Sequence, residues 1–289
     1  MIGPRTPSRR FRALLGLCVA AVGLCAAAPT FEVPPNWTQP TPPFHVVGPI
    51  WYVGSAGLAS YLIKTRDGAL LIDGTMAENV PGILRNLATL GVRPHQLRML
   101  LVTHAHFDHV AGDAAMVAVT GAKVIAGARD VPALESGIAP GEVDYAPIGF
   151  APVHVARAMR DGDTLRFGGL TLHAVATPGH TPGCTSWTMR LAHRGRSLDV
   201  VFACSLTTGR NILVGNRSYP GIVDDYRHSF ARVAALPADV VLPSHPEIAD
   251  VMVHKRDGRW IQPGLLKRIV EKSVQDFETE LARQQKAPQ

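Results

Sequence analysis

Thr103-His104-Ala105-His106-Phe107-Asp108-His109 is the stretch on which the reading of this chain turns. It follows an apolar run, Met99 to Thr103, that reads as a buried strand, and precedes a helical pattern from Val110 to Thr120 stopped by Gly121. Its His and Asp side chains offer neutral imidazole nitrogens and carboxylate oxygen, the donors that borderline-soft divalent ions such as zinc prefer. While the backbone stays extended, His104 and His106 point the same way. A turn into the following helix then swings Asp108 and His109 toward the same point. An H-x-H-x-D-H hexapeptide arises by chance on the order of once in a thousand shuffled chains of this composition, so it carries weight.

Upstream, Val46 to Val53, Ala59 to Lys64 and Ala69 to Asp73 read as short strands, with Asp67-Gly68 as a hairpin turn, and Glu78 to Leu90 as a helix stopped by Gly91. Downstream, Lys123 to Ala126 is a strand. Thr164 to Phe167 and Thr171 to Ala176 flank a Gly168-Gly169 turn, and Thr185 to Leu191 and Leu198 to Ser205 flank one around Arg194-Gly195. A helix from Gly221 to Leu236 leads into strand Val240 to Pro243. A closing helix from about Pro263 to Gln284 places Leu265, Leu266, Ile269, Val270, Val274, Phe277 and Leu281 on one face, the pattern of docking on the protein's own core. Two similar halves, each sheet then helix, imply two sheets packed face to face with helices outside. Rim loops then carry the chemistry.

One hexapeptide cannot fill two metal shells. The second half offers His180, in Thr177-Pro178-Gly179-His180-Thr181-Pro182-Gly183, and His245, in Leu242-Pro243-Ser244-His245-Pro246, both just past apolar strands in turns that hold a side chain at an exposed rim.

The 289 residues carry 29 Lys and Arg against 23 Asp and Glu, a formal charge of +6. That excess is misleading. Arg5, Arg9, Arg10 and Arg12 precede an uncharged apolar and small-residue run from Ala13 to Ala28, the form of a secretory signal peptide over residues 1–28, cleaved between Ala26 and Pro29. The run is shorter than the roughly 20 residues of a membrane span, so no stable membrane anchor is expected, and the mature chain belongs in the periplasm. Without residues 1–28 the balance is 25 to 23, or +2, too little for a broad nucleic-acid surface. Residues 29–45 form a Pro-rich extended arm, with Trp37 available to pin it, and 46–289 form a single domain.

The combination T-H-A-H-x-D-H, T-P-G-H-T-P-G and a late S-H-P resembles the metallo-β-lactamase superfamily, and most closely the third subclass of class B β-lactamases. The likeness runs from about Ile50 to His245 and includes G-A-L-L-I-D-G-T at 68–75, G-A-K-V at 121–124, G-C-T-S-W at 183–187 and Y-P-G-I-V-D-D-Y at 219–226. It implies an α/β fold, the four-layer αβ/βα sandwich of two mixed sheets. It also implies two Zn2+ ions, the first on His104, His106 and His180 and the second on Asp108, His109 and His245. The implied activity is hydrolysis of a small-molecule β-lactam by metal-held hydroxide, Asp108 orienting that nucleophile, with antibiotic resistance as the result and a monomer as the working unit. Ser205 and Thr207 would hold the substrate carboxylate, with turn hydroxyls as the plainer reading. The stretch 136–157, with Ile148, Phe150 and Val153, would wall the substrate, and Asp73 would support the ligand loops or cap a helix.

Position 205 separates the relatives. Lactonases, thioesterases and nucleases of the superfamily place a metal-bridging Asp there, whereas this chain has Ser205, as the third subclass does. A lactonase or thioesterase therefore stands second to a β-lactamase. Neighbouring Cys204 points to the opposite strand face. The hairpin around Arg194-Gly195 sets it nearly opposite Cys184, so a Cys184–Cys204 disulfide is expected in an oxidising compartment.

Overall fold

The structure, a computed structural model, describes residues 1–3 and 29–287. The expected signal peptide therefore lies, but for its first three residues, outside the described residues. Strand β1 (Phe44–Val47) turns into β2 (Ile50–Tyr52), and β3 (Tyr61–Thr65) and β4 (Gly68–Ile72) continue an antiparallel meander. Helix α1 (Val80–Thr89) returns the chain so that β5 (Leu97–Leu101) lies parallel to β4. Helices α2 (Phe107–Val110) and α3 (Asp113–Thr120) do the same for β6 (Lys123–Gly127), and α4 (Val131–Ser136) with a long loop does so for β7 (Val155–Met159). The second half repeats the plan. Strands β8 (Thr164–Phe167), β9 (Leu170–Ala176), β10 (Thr185–His193) and β11 (Arg196–Ala203) run antiparallel, and α5 (Ile222–Ala234) crosses to β12 (Val240–Pro243), parallel to β11. Helices α6 (Val251–Asp257) and α7 (Leu265–Lys286) close the chain. Each helical crossover coincides with a switch to parallel pairing, because two-residue turns can join only antiparallel strands.

The result is a seven-stranded and a five-stranded mixed sheet, the expected sandwich. Alternation along each strand sorts the side chains into layers. Leu70 and Ile72 face inward with Tyr61, meeting Trp187, Val200 and Phe202 of the second sheet, while Leu71 faces out to Ile83 and Leu87 of α1 and Met116 of α3. On the other side Val201 and Val241 face out to Tyr226 and Phe230 of α5 and Val270, Phe277 and Leu281 of α7. The closing helix thus docks as its pattern implies, although Val274 stands 36% exposed at the edge of the stripe.

Several expectations need correction. The run Val46 to Val53 is not one strand but part of a hairpin, because Gly48 takes φ +54 and turns the chain. The helix from Val110 breaks at Ala111-Gly112, where the backbone of residues 73–75 presses in: Gly112 N–H donates to Thr75 O, and a Cβ at Gly112 would lie 2.5 Å from Gly74 O. Strand β7 begins inside the stretch read as a substrate wall, so Val153 packs into the core while Ile148 and Phe150 sit beside Phe107, Met76 and Leu58. The arm contains a short turn at Pro35–Trp37, and β1 starts at Phe44, two residues before the domain boundary expected from sequence.

The loops after β4, β5, β6, β9, β11 and β12 meet at one rim, and two buried carboxylates tie several of them together. Asp73 accepts Thr103 N–H and Thr103 Oγ1–H, each at 2.7 Å, linking the ends of β4 and β5. It supports the ligand loop and caps no helix. Asp130, past β6, accepts Ala105 N–H at 2.9 Å, Thr181 Oγ1–H at 2.7 Å and Gly183 N–H at 2.7 Å. These three bonds join the first-half loop to the second-half loop, and Gly183 is required there because a Cβ would lie 2.3 Å from Asp130 N. Cys184 and Cys204 form the expected disulfide, their Cα atoms 6.0 Å apart, below the same rim.

Asp130→Ala strands three donors in a dry site and is expected to cost about 3 kcal/mol or more, read from denaturant unfolding. A loss below about 1 kcal/mol would show that the loops hold without it. A Cys184→Ala, Cys204→Ala protein should lose about 3 kcal/mol, a Tm fall of roughly 6–12 °C. An unchanged Tm would show the bridge to be mechanically idle.

Candidate metal centre

His104 follows β5, and its tautomer can be read from its neighbours. Thr103 Oγ1 donates to Asp73, so it accepts from His104 Nδ1 at 3.1 Å and leaves His104 Nε2 with a bare lone pair. That nitrogen is buried and has no hydrogen-bond partner among the described residues. His180 is held the same way: its Nδ1 donates to Thr207 O at 2.8 Å, and its Nε2 faces His106 Nδ1 at 3.0 Å. His104, His106 and His180 bring one ligand atom each within 4.8 Å of one another. Burial pushes all three pKa values down, His106 to about 4, so the triad presents neutral nitrogens at neutral pH. A buried lone pair ringed by others is the donor set that a divalent cation fits.

A second triad lies beside it, the His104 and His109 rings being 4.2 Å apart. Asp108 Oδ2 is 3.1 Å from His109 Nε2 and 3.3 Å from His245 Nε2, and the two imidazole nitrogens are 3.2 Å apart. His109 turns its other nitrogen toward Asp73 Oδ2 at 3.4 Å, an ion-pair contact. Burial opposes charge on both Asp108 and His109, but their mutual attraction overrides it. The Asp108 carboxyl is held well below the usual range by His109 and His245, and His109 is lifted to about 10 by Asp108 and then Asp73. All six residues expected from sequence are therefore brought together.

The sulfurs of Cys184 and Cys204 come within ligand reach of His104 but are bonded to each other, so neither is a thiolate donor. Ser205 is buried, its Oγ 3.0 Å from Thr207 Oγ1 and accepting Thr207 N–H at 3.3 Å. Among the described residues, position 205 adds no carboxylate to either triad.

An aromatic wall, mostly unread in the sequence, flanks the second triad. Trp37 of the Pro-rich arm lies 5.4 Å from the His245 ring and 6.2 Å from Phe107, and Asn79 Nδ2 donates to Trp37 O, fixing the arm. Phe31 joins Phe107 at 5.7 Å to Tyr145 at 5.0 Å. Sequence pattern singled out neither Asp130 nor Tyr145. Asp130 has one usable signal, since it stands just past the end of a buried strand as Asp73 does. Trp187, by contrast, is core, its Nε1–H bonded to Val102 O at 3.1 Å.

Known proteins share this fold. The family model of the metallo-beta-lactamase superfamily matches residues 58–245. The subclass B3 metallo-beta-lactamase BJP-1 of Bradyrhizobium japonicum is 41% identical, with a TM-score of 0.83 over 87% of this chain and 97% of that one. FEZ-1 of Legionella gormanii is 34% identical, with a TM-score of 0.80 over 89% and 100%. By sequence, a hydroxyacylglutathione hydrolase of Methylobacterium sp. (strain 4-46) is 32% identical over 207 residues, 66% of this chain and 72% of that protein. Human mitochondrial persulfide dioxygenase ETHE1 is 28% identical over 213 residues, 71% and 70%. A probable metallo-hydrolase of Burkholderia pseudomallei is matched over only 39% of its length. With both ligand triads assembled at the rim and the family model spanning well over half of the sequence, the chain belongs to the metallo-beta-lactamase superfamily.

Proposed function

We propose that the protein is a periplasmic zinc β-lactamase that confers resistance by opening the β-lactam ring, with export directed by residues 1–28. The observation that carries this reading is Ser205 beside two intact triads: the donor set is five His and Asp108, with a hydroxyl where thioesterases and lactonases of the family carry a bridging carboxylate. His104, His106 and His180 would hold one zinc ion, and Asp108, His109 and His245 a second. When bound, such a pair supplies Lewis acidity toward a carbonyl and an activated water at neutral pH.

The remaining work falls to the chain's own groups. Asp108 points its carboxylate into the centre, where it accepts a hydrogen bond and fixes the direction of approach to the carbonyl. His180, backed by Thr207 O, keeps a fixed tautomer and so turns a fixed nitrogen inward, while Asp73 stands 3.4 Å from the far nitrogen of His109. Ser205 and Thr207, whose hydroxyls already touch, donate to the carboxylate that β-lactam antibiotics carry. Trp37 and Tyr145 exclude water from one side of the cleft.

The second reading, a thioesterase, is favoured by the named sequence relatives. One experiment separates the two. Purified protein should hydrolyse a chromogenic cephalosporin and a carbapenem, lose that turnover to chelator, regain it with zinc, and leave a hydroxyacylglutathione thioester untouched. Thioester turnover without lactam turnover would reverse the order of the readings, and lactam turnover insensitive to chelator would end the metal mechanism. His245→Ala removes a ligand from the second triad only, so after dialysis it should retain about one zinc per chain where the parent retains about two. Equal loss from both sites would contradict the assignment of His245.

A further inference from the structure

Arg210 stands at the rim in an unusual backbone state. Its φ is +62, in the left-handed region that favours Gly or Asn, directly after Gly209 at φ +58. Its two neighbours both touch a ligand histidine. A Cβ at Gly209 would lie 2.5 Å from His180 Cε1, and Asn211 Nδ2 donates to His180 O at 3.1 Å. The turn therefore projects a cationic side chain from a backbone wrapped around the first triad.

That side chain crosses to the loop on the other side. The guanidinium lies 5.1 Å from the centre of the Tyr145 ring, and Nε donates to Asp144 Oδ1 at 2.6 Å. The two loops are also stitched by backbone bonds, Asp144 N–H to Arg210 O at 3.1 Å and Ile212 N–H to Glu142 O at 2.8 Å. Tyr145 belongs to the aromatic wall through Phe31, and its phenol, its pKa raised by burial, also feels the Asp108 carboxylate of the second triad. Arg210 thus spans from the His180 side of the cleft to the Asp108 side.

We propose that Arg210 is a specificity-determining residue, which recognises the carboxylate of the substrate at the mouth of the cleft and is held ready for it by Asp144 and Tyr145. This rests on the β-lactamase reading. The Arg210–Asp144 pair is well suited to exchange, since both side chains are nearly half exposed, 43% and 49%, and solvated ion pairs are cheap to open. Asp144 engages only Nε, through one oxygen, so a substrate carboxylate that replaces it can add a second parallel N–H donor, and the flat Tyr145 ring keeps the guanidinium plane in place during the swap. Ser205 and Thr207 are neutral donors, so Arg210 contributes the one feature they lack, a formal charge that discriminates an anion from its neutral ester.

The test compares a cephalosporin with its methyl ester. For Arg210→Ala, KM for the free acid should rise roughly 5- to 10-fold with kcat little changed, while KM for the ester stays within about twofold. Arg210→Lys should recover part of the loss, and Asp144→Asn, which removes the competing carboxylate, should lower KM for the acid about 2- to 3-fold. Arg210→Gly suits the backbone at φ +62 and guards against a folding artefact; it should reproduce the alanine result. In parallel, calorimetry measures phthalate binding to the zinc-loaded parent and to Arg210→Gly, with several-fold weaker binding expected in the variant. An acid-to-ester ratio unchanged in every variant of a parent that turns over both would overturn the proposal. If the parent turns over neither, the β-lactamase reading fails by itself, and phthalate decides Arg210 alone: equal affinity overturns it, weaker affinity in the variant upholds it as a carboxylate site.

Discussion

Asp130 is the constraint on which the rim depends. A carboxylate with 1% exposure is tolerable only if donors surround it, and here the donors come from two loops that lie far apart in the chain. Burial lifts its pKa, and the bonds from Thr181, Ala105 and Gly183 pull it back. The same bonds set where Ala105 and Thr181 sit, and therefore where His104, His106 and His180 can meet. Asp73 does the equivalent for Thr103 and His109. Two buried acids, each at the end of a parallel strand, convert two half-domains into one ligand cage.

The cage is electrostatically divided. Three histidines kept neutral by burial form one side, and a carboxylate between two histidines forms the other. Neutral nitrogen lone pairs and one anionic oxygen attract a cation without surrounding it with excess negative charge, so a loaded centre stays net positive. On the proposed β-lactamase reading this matters for an anionic substrate, because the chain from residue 29 onward carries only +2 overall. On that reading, attraction is local, placed at the centre and, as proposed, at Arg210, and not spread over the surface.

The layered fold was legible because each half presents period-two apolar strands and crossovers with a helical stripe, and Leu70, Leu71 and Ile72 sort to the faces that alternation requires. Misreadings fell where backbone contacts override local pattern. Gly48 bends a run that looks continuous, and Gly112 breaks a helix only because residues 73–75 pack against it. Helices α4 and α6 were passed over although each is closed by a glycine at positive φ, Gly137 and Gly258, a stop signal that short helices carry with too little apolar periodicity to support it.

Six ligand candidates, the pairing of Cys184 with Cys204 and the architecture follow from the sequence alone, since side-chain chemistry, spacing and strand period are local properties. The tertiary structure alone decided which nitrogen His104 and His180 turn inward, because Thr103, itself held by Asp73, and Thr207 O set those tautomers. It likewise decided that Asp130 joins the halves, that Trp37 of the arm reaches His245, and that Arg210 and Tyr145 share one wall. Each of these is a contact between segments remote in the chain, and no local pattern encodes a partner that only folding brings near.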